Sequence, residues 1–585
     1  MTQHKVKIIP DNIEMLVEDN TPLKELFTEK GINFEFPCGG LGVCKRCKVK
    51  VVKGDSHEEV LACQLKVNRD LTIEIPSREE QHNILVKGLE RQVALEPLVK
   101  KLPLELPKPT LADNVDDWTR LAGENGVAPK LRVLQQLPDK LREKDFKIVI
   151  VIANDEIVAI EGQDSKDTLY GIAFDIGTTT IAGFLIDLKT GKELAQVSTL
   201  NPQVKYGADV ISRINYAKSD EGLERLHREI INGINGLIKK AAKQVGCSIT
   251  DIYVLTVAGN TTMHHLFLKI QPKSLAATPY VPVVTEALVV DAKEINIEIN
   301  PAGKVFMFPN IAGFVGGDTV AAALAAEMDR AHKLTLLVDI GTNGEMVLGT
   351  KEKLLSCSTA AGPAFEGVEI KCGMRGTVGA IDHISIDTEL KYSVIGNTLP
   401  QGIAGSGIVD AVAELLKIGV IDEKGRLLRP DEIEKPIGKK YKDRIIEIDG
   451  TLAFLIEENT ATGEPIYISQ KDIREIQLAK GAIAAGIEVL LQTYGAKAED
   501  IEEVYLAGAF GNYLSEESVC KIGLLPPELE GKIKGIGNAA GVGAKLSLLS
   551  EKEYKRGIAL SKKTKYIELS AHPAFRGIFF NKINF

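Results

Sequence analysis

Alternation of apolar and polar positions predicts the first elements of the chain. Residues 4–17 alternate on either side of a turn, which favours a β-hairpin. A helix is predicted over residues 21–30, because a proline stands in its first turn and a glycine follows its end. Two more strands are expected at residues 48–53 and 71–75. This order of strands and helix is typical of a small β-grasp unit.

A second small unit is predicted from a helix over residues 131–144 and a hairpin over residues 146–160. Before it, residues 97–109 contain four prolines, which favour an extended spacer. At ~3.1 Å per residue such a spacer reaches about 40 Å and would let the first unit swing. The alternative is a segment held on the protein surface, with Trp118 as its contact.

The rest of the chain begins with two strand–turn–strand patterns, at residues 171–188 and 336–356. A helix is predicted over residues 468–491, where small side chains allow close packing against a neighbour. That helix either bridges two lobes or packs within one core. His264 and His265 follow a predicted strand and are expected to be structural.

Length and charge narrow the function. A chain of 585 residues is long enough for several domains. With 71 basic and 80 acidic residues its net charge is −9, so no overall attraction to nucleic acid or to an anionic membrane is expected. The apolar runs are far shorter than the ~20 residues that span a bilayer, and no targeting segment is visible. The expected location is the cytoplasm, with no membrane partner.

Four cysteines near the N-terminus are spaced like the ligands of an iron–sulfur cluster. Cys38, Cys44, Cys47 and Cys63 are separated by five, two and fifteen residues. The spacing resembles that of adrenodoxin-like ferredoxins, in which one loop supplies three thiolates to a [2Fe-2S] cluster. A structural zinc site is the alternative, although zinc ribbons use two Cys-x-x-Cys pairs and only one is present. The remaining cysteines are expected to be buried: Cys247, Cys357, Cys372 and Cys520.

A short phrase occurs twice, as Asp175-Ile-Gly-Thr and as Asp339-Ile-Gly-Thr. A strand that ends in aspartate can place a carboxylate on Mg²⁺, and the following glycine lets the backbone approach a phosphate. Hydroxyl and N–H groups of the next residues can donate to phosphate oxygens. Two copies predict two similar lobes with one nucleotide between them.

These motifs resemble those of the actin, Hsp70 and sugar kinase superfamily. The adenosine motif of that superfamily is matched by residues 504–512, and no Walker A lysine loop is present. From this resemblance Asp175, Asp339 and Glu345 are expected to be catalytic. The residues expected to bind ATP are Gly177, Thr178, Thr179, Thr180, Asn260, Asp318, Gly341, Thr342, Asn343, Gly508, Ala509, Phe510 and Gly511.

The predicted fold is a multidomain α/β protein. Its expected parts are a β-grasp ferredoxin-like domain (1–95), a linker (96–127), a small α/β middle domain (128–168) and a two-lobed actin-like, ribonuclease H-like ATPase domain (169–585, with lobes 169–333 and 334–585). This order resembles the reductive activators of corrinoid-dependent enzymes. Further motifs that carry the resemblance are Gly259-Asn-Thr-Thr-Met-His-His and Ala361-Gly-Pro-Ala-Phe-Glu-Gly.

The resemblance implies an ATP-dependent transfer of one electron from the [2Fe-2S] cluster to a corrinoid protein, which returns Co(II) to Co(I). The implied cofactors are the cluster, ATP and Mg²⁺. The implied partners are the corrinoid protein of a methyltransferase or O-demethylase system and a low-potential electron donor, with a homodimer possible. Residues 356–367 are a candidate partner contact, or another nucleotide loop.

Three other functions remain open from the residues. The first is an activator of another low-potential enzyme, such as a 2-hydroxyacyl-CoA dehydratase. Such activators hold a cluster between subunits with cysteines of the ATPase domain, so Cys357 and Cys372 would have to serve as its ligands. The second is a small-molecule kinase with a regulatory cluster. The third is a non-enzymatic redox or interaction module in which the actin-like part is a scaffold.

Overall fold

The structure of the protein is a computed structural model. It describes residues 3–9, 13–30, 32, 34, 47–53, 56–75, 91–123, 128–163, 167–508 and 513–585. Among these residues, no helix combines the length and the apolar character needed to cross a membrane.

The N-terminal unit is built on a five-stranded sheet. The strands, in the order β2-β1-β7-β4-β5, are β1 (Gln3–Ile9), β2 (Ile13–Glu18), β4 (Lys48–Lys53), β5 (Ser56–Leu61) and β7 (Leu71–Glu74). β1 runs parallel to β7, and the other neighbours are antiparallel. Helix α1 (Leu23–Glu29) buries Leu26 and Phe27 in the core of this unit. The predicted β-grasp arrangement is confirmed.

The predicted start of α1 was wrong by two residues. Thr21 and Pro22 form the short strand β3, which pairs with β6 (Lys66–Val67). The Leu23 N–H donates to the Leu65 carbonyl at 2.8 Å, and the helix begins there. Pairing with a distant strand fixes this segment, and a local pattern carries no signal for it.

The middle unit is a three-stranded sheet with two helices. Its elements are β8 (Val99–Glu105), α2 (Asp117–Ala122), α3 (Leu131–Glu143), β9 (Lys147–Ala153) and β10 (Glu156–Gly162), with strand order β10-β9-β8. The proline-rich stretch is therefore an edge strand, a position that tolerates proline. Trp118 packs against the core of this unit. Within the described residues the stretch is held in place, which is the second of the two alternatives.

The middle unit also lies against the ATPase domain. Leu98 and Val99 share an apolar core with residues of both lobes, among them Phe184 and Leu337. The N–H of Glu96 donates to the Leu549 carbonyl at 2.9 Å, and the N–H of Glu551 donates to the Glu96 carbonyl at 2.8 Å. Both the N–H and the carbonyl of Glu96, in the segment that leads into the middle unit, are therefore bonded to the ATPase domain.

The first lobe contains a six-stranded sheet of order β13-β12-β11-β14-β16-β15. The strands are β11 (Tyr170–Ile176), β12 (Thr180–Asp187), β13 (Glu193–Leu200), β14 (Ile252–Gly259), β15 (Leu288–Asp291) and β16 (Lys304–Met307). The helices are α4 (Val210–Tyr216), α5 (Asp220–Val245), α6 (Thr261–Phe267) and α7 (Gly317–Ala325).

The second lobe repeats this plan with a sheet of order β27-β26-β17-β18-β19-β28. The strands are β17 (Thr335–Ile340), β18 (Gly344–Gly349), β19 (Leu354–Thr359), β26 (Glu503–Ala507), β27 (Ile533–Gly537) and β28 (Thr564–Tyr566). Two small sheets are inserted, β20 (Ala380–Ile386), β21 (Leu390–Val394) and β22 (Gly402–Ile403), then β23 (Ile445–Ile448), β24 (Thr451–Glu457) and β25 (Ile466–Ser469). The helices are α8 (Gly405–Lys417), α9 (Pro436–Lys439), α10 (Gln470–Tyr494), α11 (Glu516–Lys521), α12 (Ala539–Leu549), α13 (Glu551–Lys563) and α14 (Phe575–Lys582).

The two sheets have equivalent cores. In each, an antiparallel three-stranded meander begins with the strand that ends in Asp-Ile, and two parallel strands follow on the other side of that strand. The duplication that the repeated motif predicts is therefore present in the backbone, in agreement with an actin-like fold.

Helices α7 and α12 join the lobes. A Cβ atom on Gly543 of α12 would lie 2.1 Å from the Ala321 carbonyl of α7, so the two backbones are in direct contact. Leu337 and Val347 of the second lobe share one apolar core with Phe306 of the first lobe and with this helix pair. Helix α10, the candidate bridge, packs instead on β18, β19 and α14. Its small residues serve core packing inside the second lobe.

Candidate nucleotide site between the lobes

Loop 1, residues 177–179, connects β11 to β12. The Gly177 N–H donates to the Thr180 carbonyl at 2.9 Å and closes the turn. All three loop carbonyls accept hydrogen bonds: that of Gly177 from the Asn201 side chain at 2.8 Å, that of Thr179 from the Asn201 N–H at 2.8 Å, and that of Thr178 from Arg213. These bonds hold the loop and occupy the oxygens that would otherwise repel a phosphate.

Arg213 is a site residue that the sequence reasoning missed. It is fully buried in α4, and its Nε also donates to the Gly207 carbonyl at 2.9 Å. Burial lowers the pKa of its guanidinium to about 9. The sequence signal for this burial was weak, because it consists only of the nearby apolar residues Val210 and Ile214.

Loop 2, residues 341–343, connects β17 to β18. The Gly341 N–H donates to the Asn343 carbonyl at 2.9 Å. The Thr342 hydroxyl donates to Oε1 of Glu366 at 2.7 Å, and the Thr179 hydroxyl of loop 1 donates to Oε2 of the same carboxylate at 3.2 Å. Glu366 therefore connects the two loops. The sequence reasoning quoted its motif without assigning a role to this residue.

Four other carboxyl groups gather between the loops. Asp175 is the last residue but one of β11, Asp339 lies directly across from Glu345 in the β17–β18 hairpin, and Asp318 lies in the first turn of α7. Ser358 on β19 donates to Glu345 at 3.2 Å. The charges of Asp318 and Asp339 act on Asp175 and on Glu345, which shows that the cluster spans both lobes.

The cluster has perturbed acidities. Burial, with a smaller contribution from neighbouring charges, raises the pKa of Asp175 and of Asp339 to about 7. Burial raises the pKa of Asp318 to about 6, against opposing hydrogen bonds from its helix start. The pKa of Glu345 is raised well above its usual range for the same reasons. Among the described residues, no three carboxyl, imidazole or thiol groups lie close enough together to hold a metal ion by themselves. A hard divalent cation here would therefore be held by one or two of these carboxylates together with waters and phosphate oxygens, and it would favour their ionised forms.

Two asparagines support the cluster. Asn260 caps α6, accepts from the Met263 N–H at 2.9 Å and donates to the Thr178 hydroxyl at 2.9 Å. Asn538 caps α12, accepting from the Gly541 N–H at 2.6 Å, and its hydrogen bond to Asp175 lowers the pKa of that carboxyl against the effect of burial. Asn260 was predicted from the sequence. Asn538 was missed, because its segment resembled an ordinary loop before a helix.

The adenosine motif begins within β26, and its first glycine follows the end of that strand. This strand runs parallel to β17 and brings Ala507 beside Asp339. Gly508 follows with φ +88°, a conformation that favours glycine. The predicted residues Ala509, Phe510 and Gly511 lie outside the described residues. Gly508 is thus brought to the same strand ends as the carboxyl cluster.

The histidines of the Gly-Asn-Thr-Thr-Met-His-His motif are both buried. Nε2 of His265 accepts from the Val283 N–H at 3.0 Å, and Nδ1 lies 2.7 Å from the Thr261 carbonyl. Burial lowers the pKa of His265, and it lowers the pKa of His264 to about 3. His265 thus fastens a crossing segment to α6, a structural role.

The described cluster cysteines lie at one corner of the β-grasp sheet. Cys47 directly precedes β4 and Cys63 follows β5, and the Ala62 N–H donates to the Cys47 carbonyl at 2.7 Å. Both therefore stand at the same end of one hairpin, as ligands of a single cluster must. Cys38 and Cys44 lie outside the described residues. Of the other cysteines, Cys357 and Cys520 are buried, and Cys247 and Cys372 are half-buried.

The fold defines a class of protein in which an actin-like, two-lobed ATPase domain is joined to a ferredoxin-like unit. Four family models match successive parts of the chain: a 2Fe-2S iron-sulfur cluster binding domain (6–68), the RACo linker region (88–167), the RACo middle region (170–331) and the C-terminal ASKHA domain of RACo (333–585).

Similar proteins extend over the whole chain. The corrinoid activation enzyme RamQ of Eubacterium limosum is 36% identical over 573 residues, which are 96% of each chain. A Co(II) methylated amine-specific corrinoid protein reductase of Methanosarcina barkeri is 28% identical, over 68% of this chain and 73% of its own. A solved reductive activator for a corrinoid, iron-sulfur protein is 36% identical and superimposes with a TM-score of 0.75, over 99% of this chain and 98% of that one. The protein belongs to the RACo family.

Proposed function

We propose that this protein is an ATP-hydrolysing reductive activator that passes one electron to the cobalt of a corrinoid protein and thereby converts Co(II) to Co(I). One observation carries the proposal: a single chain contains both an iron–sulfur unit and a two-loop cleft. This chain is similar over 96% of its length to a corrinoid activation enzyme. The [2Fe-2S] cluster supplies the electron when it is bound by the cysteine loop.

The cleft supplies what phosphoryl transfer needs, positioning and charge stabilisation. Loops 1 and 2 present hydroxyl groups on both sides of the cleft, and their backbones are fixed by the bonds described above. In this proposal Asp175 and Asp339 would hold Mg²⁺ or its waters, with Asp318 and Glu345 acting on them electrostatically. Because burial raises the pKa of Asp175 and of Asp339 to about 7, Mg²⁺ binding near neutral pH would release protons.

Nucleotide hydrolysis has an energetic reason in this reaction. Plant-type clusters lie near about −400 mV, and a one-electron transfer uphill by 100 mV costs about 2.3 kcal/mol. Closure of the lobes on ATP would select the Co(II) form of the partner and change its cobalt ligation, which raises the acceptor potential. Release after hydrolysis would then leave the Co(I) product. The partner is a corrinoid protein of a methyltransferase or O-demethylase system, and a low-potential donor supplies the electron. The activator itself would act as a monomer or a homodimer.

The alternative of a dehydratase activator requires a cluster on Cys357 and Cys372. Cys357 contacts the Gly486 carbonyl, whereas the residue next to Cys372, Lys371, bonds to Asp472 at the other end of α10. Gly486 and Asp472 are about 21 Å apart along a helix of this geometry. The two thiols of one chain are therefore too far apart to be ligands of the same cluster, and a cluster held between subunits would also require them to be close together.

The test mixes the purified protein with a low-potential reductant, Mg²⁺–ATP and a Co(II) corrinoid protein, and follows the cobalt optical spectrum. We expect Co(I) to form with ATP and not with ADP or with ATP omitted. Formation of Co(I) at the same rate and extent without nucleotide would contradict the proposal. A phosphorylated small molecule among the products would favour a kinase, whereas ADP and phosphate alone exclude one.

A further inference from the structure

Glu366 makes a contact that the proposed reaction does not explain. One of its oxygens accepts from Thr342 of loop 2 and the other accepts from Thr179 of loop 1, at 2.7 and 3.2 Å. A Cβ atom on Gly341 would lie 4.0 Å from the same carboxylate. Glu366 thus lies at the point where the two phosphate-binding loops face each other.

The turn that carries Glu366 is closely packed against its surroundings. Its 3₁₀ segment (Pro363–Glu366) is bounded by Gly362 and Gly367, with φ +77° and +72°. A Cβ atom on Gly367 would lie 2.6 Å from the Met374 carbonyl, and the neighbouring Phe365 is buried in the core. The carboxylate is therefore held at the loops by the fold.

The two threonines cannot serve Glu366 and a phosphate at once. A hydroxyl has one proton to donate, so each threonine bonds either to the carboxylate or to a phosphate oxygen. Arg213, buried behind loop 1, interacts electrostatically with Glu366 and favours an anion at this position. A carboxylate and a phosphate group are both anions, and they repel each other if both remain.

We propose that Glu366 is an internal competitor of the nucleotide phosphates: it ties loop 1 to loop 2 through Thr179 and Thr342 and gives up both hydroxyls when ATP binds. It takes the hydroxyls back when phosphate leaves, which speeds product release. Glu366 is a positioning residue in this role, not a catalytic one. The inference rests on the proposed nucleotide site.

The test measures Mg²⁺–ATP affinity by calorimetry and hydrolysis by phosphate release, with the full chain. Glu366→Gln keeps the size of the side chain and removes its charge. Because charge-assisted hydrogen bonds to two hydroxyls are weakened, ATP should bind about tenfold more tightly. Product release should become slower, and the fold-decrease in kcat should be no larger than the fold-decrease in the rate of product release. Glu366→Asp, one methylene shorter, should change the affinity in the same direction.

Two controls test whether a change in the ATP affinity of Glu366→Gln arises from the hydrogen bonds to the two threonines. Glu369→Gln alters an exposed glutamate three positions further on, whose neighbour is Glu475, and should leave the affinity unchanged. In a Thr342→Val background, Glu366→Gln should tighten binding less than it does in the wild type, because one of the two contested hydroxyls is absent.

The outcomes separate this inference from the proposed function. If the wild type hydrolyses ATP and Glu366→Gln binds it with unchanged or weaker affinity, the competitor role is wrong and the activator function stands. Loss of hydrolysis by Glu366→Gln at unchanged affinity would make Glu366 catalytic and would overturn the inference as well. If the wild type binds no ATP, both the competitor role of Glu366 and the proposed activator function are wrong.

Discussion

Gly508 lies so close to Asp339 that a Cβ atom on Gly508 would be 2.8 Å from Oδ1 of Asp339. The same Cβ atom would be 2.8 Å from the Ile340 carbonyl. The first glycine of the adenosine motif and the carboxylate of the second phosphate motif, distant in sequence, are therefore in van der Waals contact. Any side chain at residue 508 must move the carboxylate that we propose to hold Mg²⁺.

Replacement of Gly508 by alanine should lower both ATP hydrolysis and thermal stability. The substitution adds a clash with Asp339 to the cost of a positive φ, which is of order 1–2 kcal/mol for a residue with a Cβ atom. Gly531→Ala is the matched control, because Gly531 has φ +79° and open space around its Cβ position. Hydrolysis by Gly531→Ala should equal that of the wild type. Equal hydrolysis by the two variants would show that the contact with Asp339 has no functional role.

Asp339→Asn should abolish ATP hydrolysis and Co(I) formation together. The amide keeps the shape of the side chain but loses the charge that holds a divalent cation. Phosphate release and the cobalt spectrum are measured on the same preparation. Asp387→Asn is the control, since the side chain of Asp387 is 82% exposed and pairs with Lys417 at 3.5 Å. Undiminished Co(I) formation by Asp339→Asn would contradict the assigned role.

The duplicated loops could be predicted from the sequence because their requirements are local. A strand, a terminal aspartate, a glycine and a hydroxyl are written consecutively, and the structure places each copy at an equivalent strand end. Glu366, Arg213 and Asn538 could not be found in this way. Each acts on a loop that is separate from it in the chain, through contacts that exist only after the sheets have formed.

The packing partners of the helices rich in small residues could not be predicted from the sequence either. Small residues predicted a closely packed helix at 468–491, and that packing is present around Gly486, whose Cβ would lie 2.6 Å from Met346. The sequence did not identify the element against which this helix packs, because small residues indicate close packing but not the packing partner. Helices α7 and α12 contain a larger share of alanine and glycine than α10, and they are the helices that connect the lobes.

The pKa values of the carboxyl cluster predict how its stability depends on pH. Asp175 and Asp339 have folded-state pKa values of about 7, above those of the unfolded chain. Their contribution to stability is complete below about pH 4 and is lost as the pH rises through 7. The gain in Tm of Asp339→Asn over the wild type, without Mg²⁺, should therefore be larger at pH 8 than at pH 5. Asp387→Asn should show no such trend, and an equal gain at both pH values would refute the assignment.

Cys47→Ser should separate the two halves of the reaction. Loss of one cluster ligand should remove iron and abolish Co(II) reduction, whereas ATP affinity should stay at the wild-type value because the cleft is unaltered. Iron content, the optical spectrum of the cluster and ATP calorimetry are the measurements. Cys247→Ser is the control, as this half-buried thiol lies in the first lobe next to α5. Full iron content in Cys47→Ser would exclude Cys47 as a ligand.

The contact between α7 and α12 should be intolerant of even one methyl group. A Cβ atom on Gly543 would lie 2.1 Å from the Ala321 carbonyl and 2.5 Å from its carbonyl carbon, both backbone atoms that cannot rotate away. Gly543→Ala must therefore separate the two helices, and overpacking of this kind costs about 1–3 kcal/mol or more. Gly236→Ala, inside α5 with nothing within 4 Å of the new Cβ, should instead stabilise the protein by up to about 1 kcal/mol. Since α7 carries Asp318 and α12 begins at Asn538, Gly543→Ala should also weaken ATP binding, while Gly236→Ala leaves it unchanged. Thermal unfolding and ATP calorimetry on the two variants decide the matter, and a Tm of Gly543→Ala at or above that of Gly236→Ala would rule out the close helix crossing.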